Sequence, residues 1–201
     1  MKALIVIDLQ NDFVPGGSLA VPKGNEIIPL INQLQEKFEL VVATQDWHPK
    51  NHLSFASNHP GKKVYDTVML GGVEQVLWPD HCIQGEKGAR FVKGFDERRV
   101  EAIFRKGTDP EIDSYSGFFD NGRKKSTGLG DYLKGRGVTQ VYVCGLAAEF
   151  CVLYTALDSI ELGFETYYLE DATRALSYEG FKEAKEKILK RGGHLILSSE
   201  L

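Results

Sequence analysis

The sequence predicts an α/β protein, built around a doubly wound and mostly parallel sheet with helices on both faces. The run Ala3–Ile7 is entirely apolar, which is typical of a strand that is covered on both sides. Further apolar runs alternate along the chain with segments whose apolar residues recur at helical spacing. Strands that alternate with helices imply right-handed crossover connections, and such connections build a parallel sheet.

The predicted strands are short apolar runs, several of them rich in β-branched residues and bounded by polar or glycine-containing turns. The strand before Gly145 leads through a turn directly into a helix, so side chains and backbone N–H groups are exposed together there. The predicted strands lie at residues 3–7, 40–44, 91–93, 101–104, 138–143, 164–169 and 194–197.

The predicted helices carry their apolar residues on one face. The last of them begins at Ser177, a preferred N-cap residue, and ends at Gly192-Gly193, a helix stop. Residues 57–77 show no clear period and predict an irregular excursion that ends in a short helix. The predicted helices lie at residues 25–38, 73–77, 128–135, about 150–162 and 177–191.

Length and composition predict one soluble domain, residues 1–201. The chain is 42% hydrophobic and 26% charged, and its net charge of −4 gives no reason to expect nucleic acid or an anionic membrane as a partner. No apolar run is long enough to span a bilayer. Three cysteines are too few for a disulfide framework and indicate a reducing, cytoplasmic compartment.

Three reactive side chains follow predicted strands. Asp8 and Lys106 come at or just after strand ends, and Cys151 lies in the turn that opens a helix. The strand ends of a doubly wound sheet converge on one edge, so the three are expected to meet there. A helix N-terminus and a nearby lysine lower the pKa of a thiol, and an aspartate accepts its proton. The alternatives are a buried core cysteine and a capping aspartate.

A second group of residues suits a metal ion. Asp46 and His48 follow the second strand, His52 comes four residues later, and His81 lies in W-P-D-H-C. Carboxylate and imidazole ligands suit zinc, iron or manganese. The alternative for His52 is a solvated loop residue.

Five blocks of sequence together resemble the nicotinamidase (pyrazinamidase) branch of the isochorismatase-like cysteine hydrolases. They occur in order along the whole chain, and several are specific to that branch. The blocks are I-V-I-D-L-Q-N-D-F, T-Q-D-W-H-P-K-N-H-x-S-F, W-P-D-H-C, R-K-G and C-G-L-A-A-E-F-C-V.

The resemblance implies a six-stranded, mainly parallel sheet and a cysteine-dependent amide hydrolysis. Cys151 resembles the nucleophile, Asp8 the general base and acid, and Lys106 the cation that supports the thiolate. The backbone N–H groups of Ala147 and Cys151 form the expected oxyanion hole, with a cis peptide at Leu146–Ala147. The expected substrate is nicotinamide, converted to nicotinate and ammonia in NAD salvage, with pyrazinamide as a second substrate.

The resemblance also implies one divalent metal ion, with zinc as the first choice and iron or manganese as alternatives. The implied ligands are Asp46, His48 and His81, with the fourth position open between His52, Ser54 and water. The implied substrate-binding residues are Phe13, Trp78 and Tyr115. The oligomeric state stays open between monomer and homo-oligomer.

The chain departs from the family pattern at Ala148-Glu149-Phe150, where the family usually has Thr-Asp-Tyr. If this change disturbs the oxyanion hole, the protein binds metal and nicotinamide without turnover. A carbamoyl-type or other small-amide hydrolase shares the Cys–Asp–Lys set, but such enzymes lack the metal blocks. Isochorismatase activity is disfavoured because a nucleophilic cysteine is present.

Overall fold

The computed structural model describes all residues from 1 to 201. Eight strands and four α-helices form the framework, and one-turn 3₁₀ segments connect several of them. In chain order they are β1 (Lys2–Ile7), α1 (Ile28–Leu34), β2 (Leu40–Asp46), β3 (Thr67–Leu70), β4 (Val73–Val76), β5 (Val100–Lys106), α2 (Leu129–Gly135), β6 (Gln140–Gly145), α3 (Leu153–Glu161), β7 (Glu165–Thr173), α4 (Tyr178–Lys190) and β8 (His194–Ile196).

The main sheet confirms the predicted fold class. It has six strands in the order β5-β2-β1-β6-β7-β8, and every neighbouring pair is parallel. The order reverses direction at β1, which is the topological switch point of an open α/β sheet. Such sheets bind ligands outside the carboxyl ends of the strands at this point.

Strand β1 separates two hydrophobic cores because its side chains alternate between the two faces of the sheet. Leu4 and Val6 point into the core that α1 covers, whereas Ala3, Ile5 and Ile7 point into the core that α2, α3 and α4 cover. All five residues are fully buried. The continuous apolar run therefore marks a central strand, as the sequence predicts.

Two predicted helices differ in the structure. The predicted short helix at 73–77 is wrong, because Val73–Val76 pairs with Thr67–Leu70 as an antiparallel hairpin. Gly71 and Gly72 connect the two strands, and both have positive φ, which a two-residue hairpin turn requires. The predicted helix at 25–38 divides into 3₁₀ turns on either side of α1.

The connection after β6 is unusually tight. Gly145 has a φ of 119°, and a Cβ atom there would lie 2.1 Å from the carbonyl oxygen of Ile7. The Leu146–Ala147 peptide is cis, and a π-helical turn, Ala148–Val152, leads into α3. None of the helices has the length and apolar character needed to cross a membrane.

Candidate active site

Four charged or nucleophilic side chains meet at the carboxyl edge of the sheet. Asp8 follows β1 directly, Asp46 and Lys106 are the last residues of β2 and β5, and Cys151 lies in the turn after β6. Asp46 and Lys106 are register partners on neighbouring strands. All four are buried, so the protein holds charged groups here at the cost of their hydration.

Lys106 is at the centre of this group. Its Nζ lies 2.8 Å from Asp8 Oδ2 and 2.5 Å from Asp46 Oδ1. The same Nζ donates to Cys151 Sγ at 3.4 Å and to the carbonyl oxygen of Ser114 at 2.9 Å. Asp8, Lys106 and Cys151, which we call the triad, are therefore in direct contact, as the sequence predicts.

Burial and the neighbouring charges shift the pKa values of Cys151 and Lys106. Burial raises the pKa of the Cys151 thiol well above its ordinary value; Lys106 acts in the opposite direction, and Asp8 raises it further. Burial alone lowers the pKa of Lys106, but the two carboxylates outweigh it and raise that pKa well above its usual range. Lys106 thus lowers the thiol pKa as the sequence predicts, but burial outweighs it, and Asp8 is the carboxylate placed to accept the thiol proton.

The backbone beside the nucleophile leaves a donor free. The Ala147 N–H makes no hydrogen bond within the protein and lies in the wall of the pocket that exposes Cys151. The next N–H, of Ala148, already donates to the carbonyl oxygen of Arg174 at 2.8 Å. The Ala147 N–H is therefore free to donate to a bound group, whereas the Ala148 N–H is not; the oxyanion-hole role of the Ala147 and Cys151 N–H groups stays a prediction.

Asp46, His48 and His81, which we call the Asp46 cluster, offer one carboxylate oxygen and two ring nitrogens. These atoms all lie within 4.8 Å of one another. The Nδ1 atoms of the two rings contact carbonyl oxygens, of Gly107 for His48 and of Pro79 for His81, each at 2.8 Å. A carbonyl only accepts, so Nδ1 carries the hydrogen and Nε2 keeps its lone pair in the neutral ring. Both Nε2 atoms can therefore bind a metal ion.

His52 has the opposite tautomer. The backbone N–H of Ser54 donates to His52 Nδ1 at 3.0 Å, so Nδ1 is the acceptor and the hydrogen resides on Nε2. Burial lowers the pKa of His52 to about 4, which keeps the ring neutral. Its Nε2 is buried without a partner and faces His48 and Asp113. In this tautomer His52 is an N–H donor beside the Asp46 cluster; the Ser54 hydroxyl, 2.7 Å from the same Nδ1, would be the acceptor in the other tautomer, and His52 as the fourth metal ligand stays a prediction.

The pocket beside Cys151 is a small cleft, and most of the residues that line it are hydrophobic. Polar atoms lie at its inner end, where Asp46, His81 and Cys151 contribute to its lining. The predicted residues Phe13, Trp78 and Tyr115 all line it, and four further apolar residues complete the wall: Leu19, Val21, Phe150 and Leu176.

This geometry agrees with the comparisons with known proteins. The chain matches the isochorismatase domain over residues 2–200. A nicotinamidase from Acinetobacter baylyi is 47% identical over 200 residues, which are 99% of this chain and 94% of that protein. The chain belongs to the isochorismatase family, in its nicotinamidase branch.

Solved structures from the same branch have the same fold. A nicotinamidase/pyrazinamidase from Acinetobacter baumanii has a TM-score of 0.96 and 47% identity, covering 99% of this chain and 97% of its own. The yeast nicotinamidase bound to the inhibitor nicotinaldehyde has a TM-score of 0.94 at 35% identity, covering 98% and 100%. The pyrazinamidase of Pyrococcus horikoshii, solved in complex with zinc, has a TM-score of 0.80 at 42% identity, covering 98% of each chain.

The departure from the family pattern at Ala148-Glu149-Phe150 leaves the triad undisturbed. The Glu149 carboxylate points away from Cys151 and accepts from the backbone N–H groups of Leu176 and Ser177, at 3.1 and 2.9 Å. Phe150 packs edge-on against Trp78, with 5.0 Å between ring centroids. Glu149 thus fixes the segment that carries Leu176 into the pocket, and Phe150 closes the wall with an apolar ring.

Several residues of the site escaped the sequence analysis. Thr44 donates to Asp8 Oδ1 at 2.6 Å and orients that carboxylate. Asp113 contributes to the pocket wall and lies 3.9 Å from His48 Nε2. Thr44 is the first residue of the T-Q-D-W-H-P block, and its position at the end of β2, close to Asp46, is the signal that marks it as a site residue. Asp113 opens the loop D-S-Y-S-G-F-F, and a single acid at the start of a loop has no spacing that marks it as part of a site.

Proposed function

We propose that this protein is a nicotinamidase, which hydrolyses nicotinamide to nicotinate and ammonia through a thioester on Cys151. The observation that carries the proposal is the inner end of the pocket. There, Cys151, Ala147 with its unpaired N–H, and Asp46 and His81 of the Asp46 cluster line one largely apolar cleft. An aromatic ring with a carboxamide and a ring nitrogen matches these three features.

Each proton of the reaction has a place in the triad. Asp8 accepts the thiol proton while the sulfur attacks the carboxamide carbon. The Ala147 N–H stabilises the negative charge on the carboxamide oxygen, and the Lys106 ammonium stabilises charge on the sulfur. Asp8 then donates its proton to the leaving nitrogen, which departs as ammonia and leaves a thioester. A water molecule, activated by Asp8, cleaves the thioester and restores the thiol.

The Asp46 cluster would hold one divalent ion, with Asp46 Oδ2, His48 Nε2 and His81 Nε2 as ligands. The residues fit because the two Nε2 atoms lie 3.7 and 3.8 Å from that oxygen, and His48 Nε2 is buried without a partner. We favour zinc on this donor set and on the zinc complex of the Pyrococcus relative. Bound there, the ion would supply a Lewis-acid contact for the ring nitrogen and so fix the ring.

Pyrazinamide is a second substrate on the same grounds. Its ring keeps a nitrogen in the meta position relative to the carboxamide, as nicotinamide does. The aromatic and aliphatic side chains that line most of the cleft offer a packing surface that suits either ring.

The test is ammonia release from nicotinamide by the purified, metal-loaded protein and its Cys151→Ala variant. We expect turnover in the first and a decrease of roughly 10⁴-fold or more in the second, because the nucleophile is lost. Cys144→Ala is the matched control, since Cys144 is also buried but lies within β6. A Cys151→Ala variant as active as the Cys144→Ala variant would exclude the thioester route.

A further inference from the structure

The end of β2 lacks a neighbouring strand on one side. The backbone pairing of β1 with β2 stops at Val6 and Ala43, whereas β2 continues to Asp46 along β5. The peptide groups of Asp46 that face away from β5 therefore need partners other than β1. An unpaired buried N–H or carbonyl costs about 1–3 kcal/mol.

The side chain of Gln10 takes the place of the missing strand. Its Oε1 accepts from the Asp46 N–H at 2.9 Å, and its Nε2 donates to the Asp46 carbonyl oxygen at 2.8 Å. The second hydrogen of Nε2 goes to the carbonyl oxygen of Ala89 at 2.8 Å. Gln10 is fully buried, so these bonds are not exchanged with solvent.

A second side chain of the same loop acts on the segment that carries His81. Asp12 Oδ2 accepts from the backbone N–H of Cys82 at 2.7 Å. Cys82 has a φ of 46°, a left-handed conformation that non-glycine residues seldom adopt without support. Two side chains of the loop that begins with Asp8 thus support the cluster. Gln10 binds the backbone of Asp46, and Asp12 binds the backbone of Cys82, next to His81.

We propose that Gln10 is a positioning residue, which sets the backbone of Asp46 so that one carboxylate oxygen meets Lys106 and the other faces the two imidazoles. This inference rests on the proposed metal-assisted hydrolysis. A one-residue displacement of Asp46 would separate it from both groups at once. Gln10 itself contacts neither substrate nor metal; it acts through the peptide groups of Asp46.

Two substitutions at Gln10 remove its hydrogen-bond donor in different ways. Gln10→Met keeps the length and shape of the side chain but removes all three hydrogen bonds. Gln10→Glu keeps an acceptor for the Asp46 N–H. Its second carboxylate oxygen, however, replaces the N–H donor and is repelled by the carbonyl oxygens of Asp46 and Ala89. Both variants lose the donor, so both should bind zinc about 10- to 100-fold more weakly in a chelator competition.

The matched control is Gln35→Met. Gln35 is also fully buried, and its Nε2 donates to a carbonyl oxygen, that of Asp96, far from the triad. This variant should lose stability in urea unfolding but bind zinc as the wild type does. Excess zinc should restore most of the nicotinamide turnover that the two Gln10 variants lose at limiting zinc.

Zinc affinity in Gln10→Met and Gln10→Glu equal to that in Gln35→Met would overturn the inference, as would turnover that excess zinc does not restore. These outcomes differ from a failure of the proposed function. In that case the wild type itself would release no ammonia from nicotinamide or bind no zinc.

Discussion

The triad and the Asp46 cluster reach the same pocket, the triad through Cys151 and the cluster through Asp46 and His81, but the protein satisfies their polar groups to different degrees. The Lys106 ammonium of the triad contacts the carboxylates of Asp8 and Asp46 and the sulfur of Cys151. In the Asp46 cluster, His48 Nε2 is buried without a hydrogen-bond partner. The triad thus finds its partners within the chain, although Asp8 Oδ2 has only the ion pair with Lys106, whereas His48 Nε2 of the cluster is open to a group from outside.

Asp46 belongs to both regions through its two oxygens. Its Oδ1 is bonded to Lys106, and its Oδ2 faces the two imidazoles. Asp46 therefore links the hydrolysis at the triad to the binding of the substrate ring at the cluster. The two functions nevertheless use different oxygens of its carboxylate. Substitutions should therefore divide into those that stop the chemistry with metal retained and those that lose the metal.

After loss of the nucleophile itself, the largest effect should come from Asp8→Asn. The amide keeps the shape of the side chain but cannot accept the thiol proton, so kcat should decrease by about 10²- to 10⁴-fold. Metal content should stay at the wild-type level, because Asp8 is outside the Asp46 cluster. Steady-state kinetics with metal analysis on the same sample checks both points; a loss of metal would mean that the regions are not separable.

His81→Ala should act on the other region. Loss of a residue that only hydrogen-bonds to a metal ligand weakens binding by about 10- to 100-fold. Removing a ligand itself should therefore weaken zinc binding by more than about 100-fold. Alkylation of Cys151 by iodoacetamide should continue, since His81 does not contact the triad sulfur. Zinc titration and peptide mass spectrometry give the two readouts. Wild-type zinc affinity in this variant would exclude His81 as a ligand.

His52→Gln should change little. Glutamine keeps an N–H donor near the position of Nε2, so zinc should bind in full and turnover should stay within about tenfold of wild type. X-ray absorption of the zinc-loaded wild type should show two imidazoles. Three imidazoles, with one lost in the variant, would contradict the tautomer that Ser54 imposes.

Glu149→Ala should have the smallest effect. It removes hydrogen bonds to two backbone N–H groups at the start of α4, which should lower the free energy of unfolding by about 1–2 kcal/mol. Turnover at saturating nicotinamide should stay within a few-fold of wild type, because the carboxylate points away from Cys151. Urea unfolding and kcat measure the two quantities. A large decrease in kcat without loss of stability would contradict this and would indicate that Glu149 acts directly on the reaction at Cys151.

Much of this arrangement could be predicted from the sequence, because strand ends of a parallel sheet meet at one edge. Asp8, Lys106 and Cys151 lie where that rule places them, and Asp46 and His48 follow β2 in the same way. The β3–β4 hairpin could not be recognised from periodicity, since four-residue strands are too short to separate from a helical turn.

Three features of the site depend on contacts that no sequence pattern specifies. The tautomer of His52 follows from a backbone N–H two residues away, which bonds to the ring only in the folded loop. The clamp of Gln10 on Asp46 joins residues 36 positions apart through side-chain contacts with backbone. The thiol pKa, similarly, depends on burial that outweighs the neighbouring lysine.

The most direct test compares nicotinamide with benzamide, which lacks the ring nitrogen, in metal-loaded and metal-stripped protein. If the triad performs the hydrolysis and the Asp46 cluster holds the ring through a metal ion, the loaded protein should strongly prefer nicotinamide. Stripping the metal should lower the nicotinamide rate towards that of benzamide and leave the benzamide rate nearly unchanged. An equal preference for nicotinamide in loaded and stripped protein would contradict the division of labour between the two regions.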